Sequence, residues 1–208
     1  MTVTEALIAF SIAAGLLTIT PGLDTALVLR TAAVEGPRRA VLAGAGICLG
    51  TILWGAAVAL GLGALLAASA IAFEVLKWAG AAYLVWLGVK LILRPRERFE
   101  LVGGTLQAHG GLAWLRRGLF TNLLNPKVGV FYVSFLPQFL PAGVPAAPFM
   151  FLLAVLHALM GVVWFGVLIS ATRPIAGALQ KASVVRWLDR LTGGVFLGFG
   201  VRLAFERR

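Results

Sequence analysis

The sequence predicts an all-α integral membrane protein: six transmembrane helices forming two inverted three-helix repeats, with helices 1 and 4 broken. Three observations point there. Of the 208 residues, 60% are hydrophobic and 12% charged, with a mean hydropathy of +0.96. A soluble domain of this length cannot hide so much apolar surface. Six stretches reach the roughly 20 apolar residues that a helical span needs: 5–29, 41–66, 73–93, 115–139, 147–171 and 188–205. The two halves of the chain also echo each other around one polar stretch, RPRERFELVGGTLQAHGG at 94–111.

The first span begins almost at the N-terminus. MTVTEALIAF has no basic region and carries Glu5, and the apolar run is too long for a cleaved signal, so a retained helix is expected. At its centre stands TPGLD, 20–24. Pro21 cannot donate to the Leu17 carbonyl and Gly22 frees the backbone further, which predicts a kinked or unwound segment with an open carbonyl. Asp24 lies one turn beyond Thr20, on the same helical face. A carboxylate, a hydroxyl and loose carbonyls together suit an ammonium group. A plainer reading is a proline kink with Asp24 capping the second half-helix, where the dipole favours an anion.

The second span holds the one cysteine, Cys48, by default a small buried hydrophobe. Its Gly44, Gly46 and Gly50 permit close packing within a protomer or between two, so a homo-oligomer stays open. The third span ends in YLVWLGVKLI, 83–92. A connecting loop, 94–114, then separates the first repeat, 1–93, from the second, 115–208.

In the fourth span Pro126 frees the Asn122 carbonyl. Asn122, Asn125, Gly129 and Tyr132 keep helical spacing, whereas an unbroken helix would turn Lys127 toward Ser134 and Gln138. The proline leaves open which stripe faces the interior, and Lys127 could also pair with Asp24 or snorkel. The fifth span sets His157 on one face with Gly161 and Trp164, suited to relaying protons or to an interhelical hydrogen bond. The sixth span is the weakest, because Asp189 and Arg190 stand at its start.

The echoes run in order. Thr20-Pro21-Gly22 in span one is answered by Asn125-Pro126-Lys127 in span four, 105 positions later, and GVKL at 88–91 by GVRL at 200–203. Three spans per unit force the second copy to insert upside down. Such repeats are typical of secondary transporters, whose substrate site lies near the midplane at discontinuous helices.

The net charge of +10 does not call for nucleic acid. Basic residues concentrate in alternate connections: Arg30, Arg38 and Arg39; Lys90, Arg94, Arg96, Arg98, Arg116 and Arg117; Arg173, Lys181, Arg186 and Arg190. Connections 67–72 and 140–146 have none. The positive-inside rule then puts the basic connections in the cytoplasm and both termini outside.

A charge at bilayer depth costs at least about 3 kcal/mol on insertion scales. Only Asp24, Lys127 and His157 lie that deep; Glu5, Glu74, Lys77, Lys90 and Arg202 are near enough to helix ends to snorkel. No HExxH, Walker loop, paired catalytic carboxylates or nucleophile–base pair is present, so no enzyme, catalytic residue or cofactor is expected. Asp24 alone is too poor a ligand set for a metal site.

TPGLD resembles the first-span signature of the LysE/RhtB amino-acid exporters. NLLNPKVGVFYVSFLPQF, 122–139, is similar to that family's second signature, and YLVWLGVKLI, the length, the six spans and the basic central loop agree. The resemblance covers essentially the whole chain. It implies a bacterial inner-membrane carrier that expels amino acids, neutral ones such as threonine, homoserine or leucine, in exchange for protons, with membrane lipids around it. Pro21, Gly22 and Asp24 match the first motif, and Asn125, Pro126 and Lys127 the second. The family's frequent TPGPD is TPGLD here; Leu23 leaves the break and the carboxylate intact but softens the kink.

The expected site joins these residues. Two broken helices cross near the midplane. Asp24, Thr20 and freed carbonyls receive the substrate's ammonium, and its carboxylate meets Lys127, Asn125 or half-helix N–H groups, beside Asn122 and Tyr132. Asp24 and His157 are the candidates for proton coupling. Export of a cation or metal ion on the same scaffold, and a non-transporting scaffold in which Asp24 and Lys127 merely pair, remain as alternatives.

Overall fold

A computed structural model of the chain describes residues 1–68, 70–95, 110–179 and 181–205. Most of the expected connecting loop, with His109, and the last three residues of the second repeat lie outside the described residues. Among the described residues the chain is helical throughout, with no strand.

Helix α1 (Val3–Ile19) opens with a capping box. The Thr2 hydroxyl accepts from the Glu5 amide, and the Glu5 carboxylate accepts from the Thr2 amide at 2.9 Å. It stops where Pro21 dictates: the residue before a proline is pushed out of the helical region, and Thr20 is extended at φ −69, ψ 120. Helix α2 (Leu23–Val34) resumes after a 50° bend. Gly36, at φ +91, supplies the left-handed residue that ends α2. Pro37 then opens α3 (Pro37–Ala68) at a position where its missing N–H costs nothing.

Helix α4 (Ala70–Leu93) follows. The fourth predicted span is likewise two helices, α5 (Gly111–Leu123) and α6 (Pro126–Phe135), with Pro126 opening the second and a 3-10 turn, Leu136–Phe139, completing it. Then come α7 (Ala146–Ser170), a short α8 (Thr172–Leu179) that the sequence reading did not separate, and α9 (Ala182–Phe205). Helix α3, over Pro37–Gly61, and α7 are each long and apolar enough to cross a bilayer; α1 and α2 together make a third candidate across their bend. Large apolar side chains such as Ile8, Leu60 and Val163 point outward, where lipid rather than water suits them.

Glycines set the closest approaches. A Cβ on Gly46 would lie 2.0 Å from the Leu115 carbonyl, and one on Gly118 1.9 Å from that of Ala43, so α3 and α5 meet backbone to backbone. Gly55 meets Ala154, and Gly44 meets Phe165, between α3 and α7. The small residues of span two thus serve packing within the chain. Helices α4 and α9 meet at Gly88 and Gly193, each 2.7 Å from where the other's Cβ would stand.

Two apolar clusters result. One gathers Phe10, Phe131, Phe135, Phe139, Met150 and Leu153; the other gathers Leu27, Leu29, Ile47, Trp114, Phe165 and Leu168. The candidate site touches both.

Candidate functional site

A cavity of about 50 Å³ lies where the two breaks face each other. The first break contributes Leu17, Thr18, Thr20, Gly22, Asp24 and Thr25; the second contributes Asn122, Asn125, Lys127 and Val128. Unbroken α3 adds Ile47, Cys48 and Thr51, and unbroken α7 adds His157, Gly161 and Phe165.

Asp24 sits in the first turn of α2, where the helix dipole favours a carboxylate. Its Oδ2 accepts from Asn122 Nδ2 at 2.9 Å, a bond between the two halves of the chain. Among the described residues, its Oδ1 and the Oδ1 of Asn122 are buried with no hydrogen-bond partner. Both oxygens can only accept; both residues line the cavity, and Asn122 Oδ1 packs toward Gly50 of α3.

The carbonyls that the prolines free are not left open. Lys127 Nζ donates to the carbonyls of Leu17 and Thr20, both at 3.0 Å. The ammonium of the second break therefore closes the end of α1, on the very carbonyl that Pro21 releases. The Asn122 carbonyl accepts from the Asn125 amide at 3.0 Å, and Asn125 Oδ1 caps α6 by accepting from the Lys127 amide. Thr20 is also engaged: its hydroxyl donates to the Leu16 carbonyl at 2.6 Å and pairs with the Thr192 hydroxyl of α9. Gly22 caps α2 with no side chain, and a Cβ there would stand 3.7 Å from Lys127 Nζ, in ordinary contact.

Because the helix restarts at Asn125, its phase resets. Lys127, which an unbroken helix would turn away from Asn122 and Asn125, lines the cavity with them. His157 reaches it from α7, with Nδ1 3.1 Å from the Tyr132 hydroxyl and the two rings stacked. Tyr132 itself is buried in the aromatic cluster behind the cavity wall.

The family model for LysE type translocators matches residues 16–207. The chain belongs to that family. Among its relatives, the homoserine/homoserine lactone efflux protein of Salmonella typhimurium is 32% identical over 200 residues, covering 96% of each chain. The leucine efflux protein of Klebsiella pneumoniae is 29% identical, over 89% of this chain and 88% of that one. An uncharacterized membrane protein of Bacillus subtilis, YrhP, is 29% identical over 95% and 98%. No solved structure matches the chain. The protein is therefore a membrane-embedded translocator and not an enzyme.

In this LysE translocator the structure adds residues that sequence reasoning did not single out. Thr192 is one, since nothing local marks its pairing with Thr20 across 172 positions. Ile47, Cys48 and Thr51 are others. Their signal was available: they share a helical face with Gly44 and Gly55, the residues that seat α7.

Proposed function

We propose that the protein exports neutral amino acids across the bacterial inner membrane by proton antiport, holding its cargo between the two breaks. The observation that carries this reading is the buried acceptor oxygen Asp24 Oδ1, on a residue that lines the cavity. An α-ammonium, with three donors, supplies the partner that the Asp24 oxygen lacks. The cargo carboxylate draws Lys127 from the Leu17 and Thr20 carbonyls, assisted by Asn125 and by the N-terminal amides of α2, which no side chain caps. Relatives named for homoserine and leucine efflux support a neutral cargo.

A cavity of about 50 Å³ is room for a few waters and not for an amino acid. Cargo entry thus requires the broken helices to part, as alternating access demands. Helices α1–α2, α3, α4, α5–α6, α7 and α9 serve as six spans, with repeats 1–93 and 115–208 inverted about an axis in the membrane plane and both termini outside. The meeting of Gly88 with Gly193 supports this arrangement: they lie 105 positions apart, as do Pro21 and Pro126, whereas the GVKL and GVRL echo runs at 112. Protons taken up by Asp24 from outside release the cargo outward, and their loss to the cytoplasm readies the site. His157, held by Tyr132, is the other group placed to relay them.

Vesicles loaded with single amino acids test the reading. Wild-type protein should move a neutral amino acid faster when a pH gradient is imposed, and Asp24→Asn should abolish that movement. An Asp24→Asn variant with the wild-type rate and the wild-type response to the gradient overturns it.

A further inference from the structure

The cavity wall divides between broken and unbroken helices. The two breaks bring Asp24, Asn122, Asn125 and Lys127, the groups suited to an amino acid's constant part. The unbroken helices bring Ile47, Cys48 and Thr51 from α3 and His157, Gly161 and Phe165 from α7. These two helices interlock along their length. Gly44 seats Phe165, whose Cβ would be 3.4 Å from a Cβ on the glycine, and Gly55 seats Ala154. Between those two seats Cys48 faces Gly161, where α7 presents no side chain at all. The gap opposite Cys48 is thus framed by tight contacts on both sides, so it keeps its shape while the breaks move.

We propose that Cys48 and Gly161 are specificity-determining residues, setting the size of cargo side chain that the carrier accepts. The inference rests on the amino-acid export reading above and deepens it. With the ammonium at Asp24 and the carboxylate at Lys127, the cargo side chain projects toward the α3–α7 wall. That wall offers a thiol, an aliphatic chain and an aromatic ring beside the Thr51 hydroxyl and the His157 imidazole, and so it receives an uncharged side chain, apolar or hydroxylated. A methyl group on Gly161 would lie 3.4 Å from Cys48 Sγ and 3.8 Å from the Phe165 ring, in van der Waals contact and without a clash. Gly161→Ala therefore leaves the helices seated and narrows the gap. Cys48→Ala widens it from the other side.

The experiment measures export of alanine, threonine and leucine from vesicles by the wild type, Gly161→Ala and Cys48→Ala. The quantity read is the leucine-to-alanine rate ratio within each protein, which is independent of how much protein folds. One methylene in an apolar pocket discriminates by about tenfold or more. Gly161→Ala should lower the ratio about tenfold, and Cys48→Ala should raise it severalfold. If both variants scale all three cargoes equally, the two residues only pack helices, and this inference falls while the export reading stands. If the wild type moves no amino acid, the export reading falls and this inference with it.

Discussion

The two breaks look alike in sequence and are closed in opposite ways. The second closes itself: the Asn125 amide takes up the Asn122 carbonyl, and the Asn125 side chain caps α6, all between Asn122 and Lys127. Its leading helix, α5, is also pressed onto α3 backbone to backbone at Gly46 and Gly118. On its α1 side the first break closes the Leu16 carbonyl locally, with the Thr20 amide and hydroxyl, but not those of Leu17 and Thr20. Those two are held by Lys127, more than 100 positions away, and Thr20 leans on Thr192 of α9. A self-sufficient break is scaffold, whereas one held from across the molecule can be let go. On the export reading, the first break is the part expected to move.

The largest effect that tests this contrast is expected from Lys127→Met, which keeps a long side chain but removes the donors. Two carbonyls at bilayer depth then lose their partner, at about 1–3 kcal/mol each. The relief of no longer burying an ammonium offsets part of that. A clear drop in thermal stability in detergent, together with loss of export, is expected. Stability equal to the wild type's would mean that the first break does not depend on the second.

A smaller loss is expected from Asn125→Ala. Removing an N-cap side chain costs about 1 kcal/mol, and here the Lys127 amide loses its acceptor. Export should slow while protein yield holds. If Asn125→Ala proves as damaging as Lys127→Met in a thermal melt, the supposed independence of the second break is lost.

The smallest effect sharpens the contrast from the other side. Gly22→Ser gives α2 the side-chain cap it lacks, and there is space for the added Cβ. Serine exceeds glycine at this position by only a few tenths of a kcal/mol, so the melting temperature should rise slightly. Export should nevertheless fall, because the capped amides no longer meet cargo. An unchanged export rate would show that those amides take no part.

Both breaks were legible in the sequence because proline acts locally. It bars a helical conformation at the residue before it and removes a donor, whatever surrounds it. The interior placement of Asp24 was legible for a similar reason, since a lone acid deep in an apolar run needs a polar setting. The fate of the freed carbonyls was not legible, because Lys127 reaches Leu17 only once two distant segments are packed side by side. The facing of Lys127 stayed open in the sequence, because a break at Leu124 and Asn125 invalidates any continuous helical count. The α3–α7 wall was hidden differently: its residues are ordinary ones, and only their opposition across two helices gives them a role.

Lys127 has no twin. The position 105 residues before it is Gly22, which offers no charge to the opposite half. A carrier whose halves trade places as it turns over would, with identical halves, rest equally well facing either side. Here one orientation enjoys an ammonium clasp that the other lacks. The unloaded protein should therefore dwell on one side of the membrane, waiting there for cargo, while the direction of net movement is still set by the gradients that drive it.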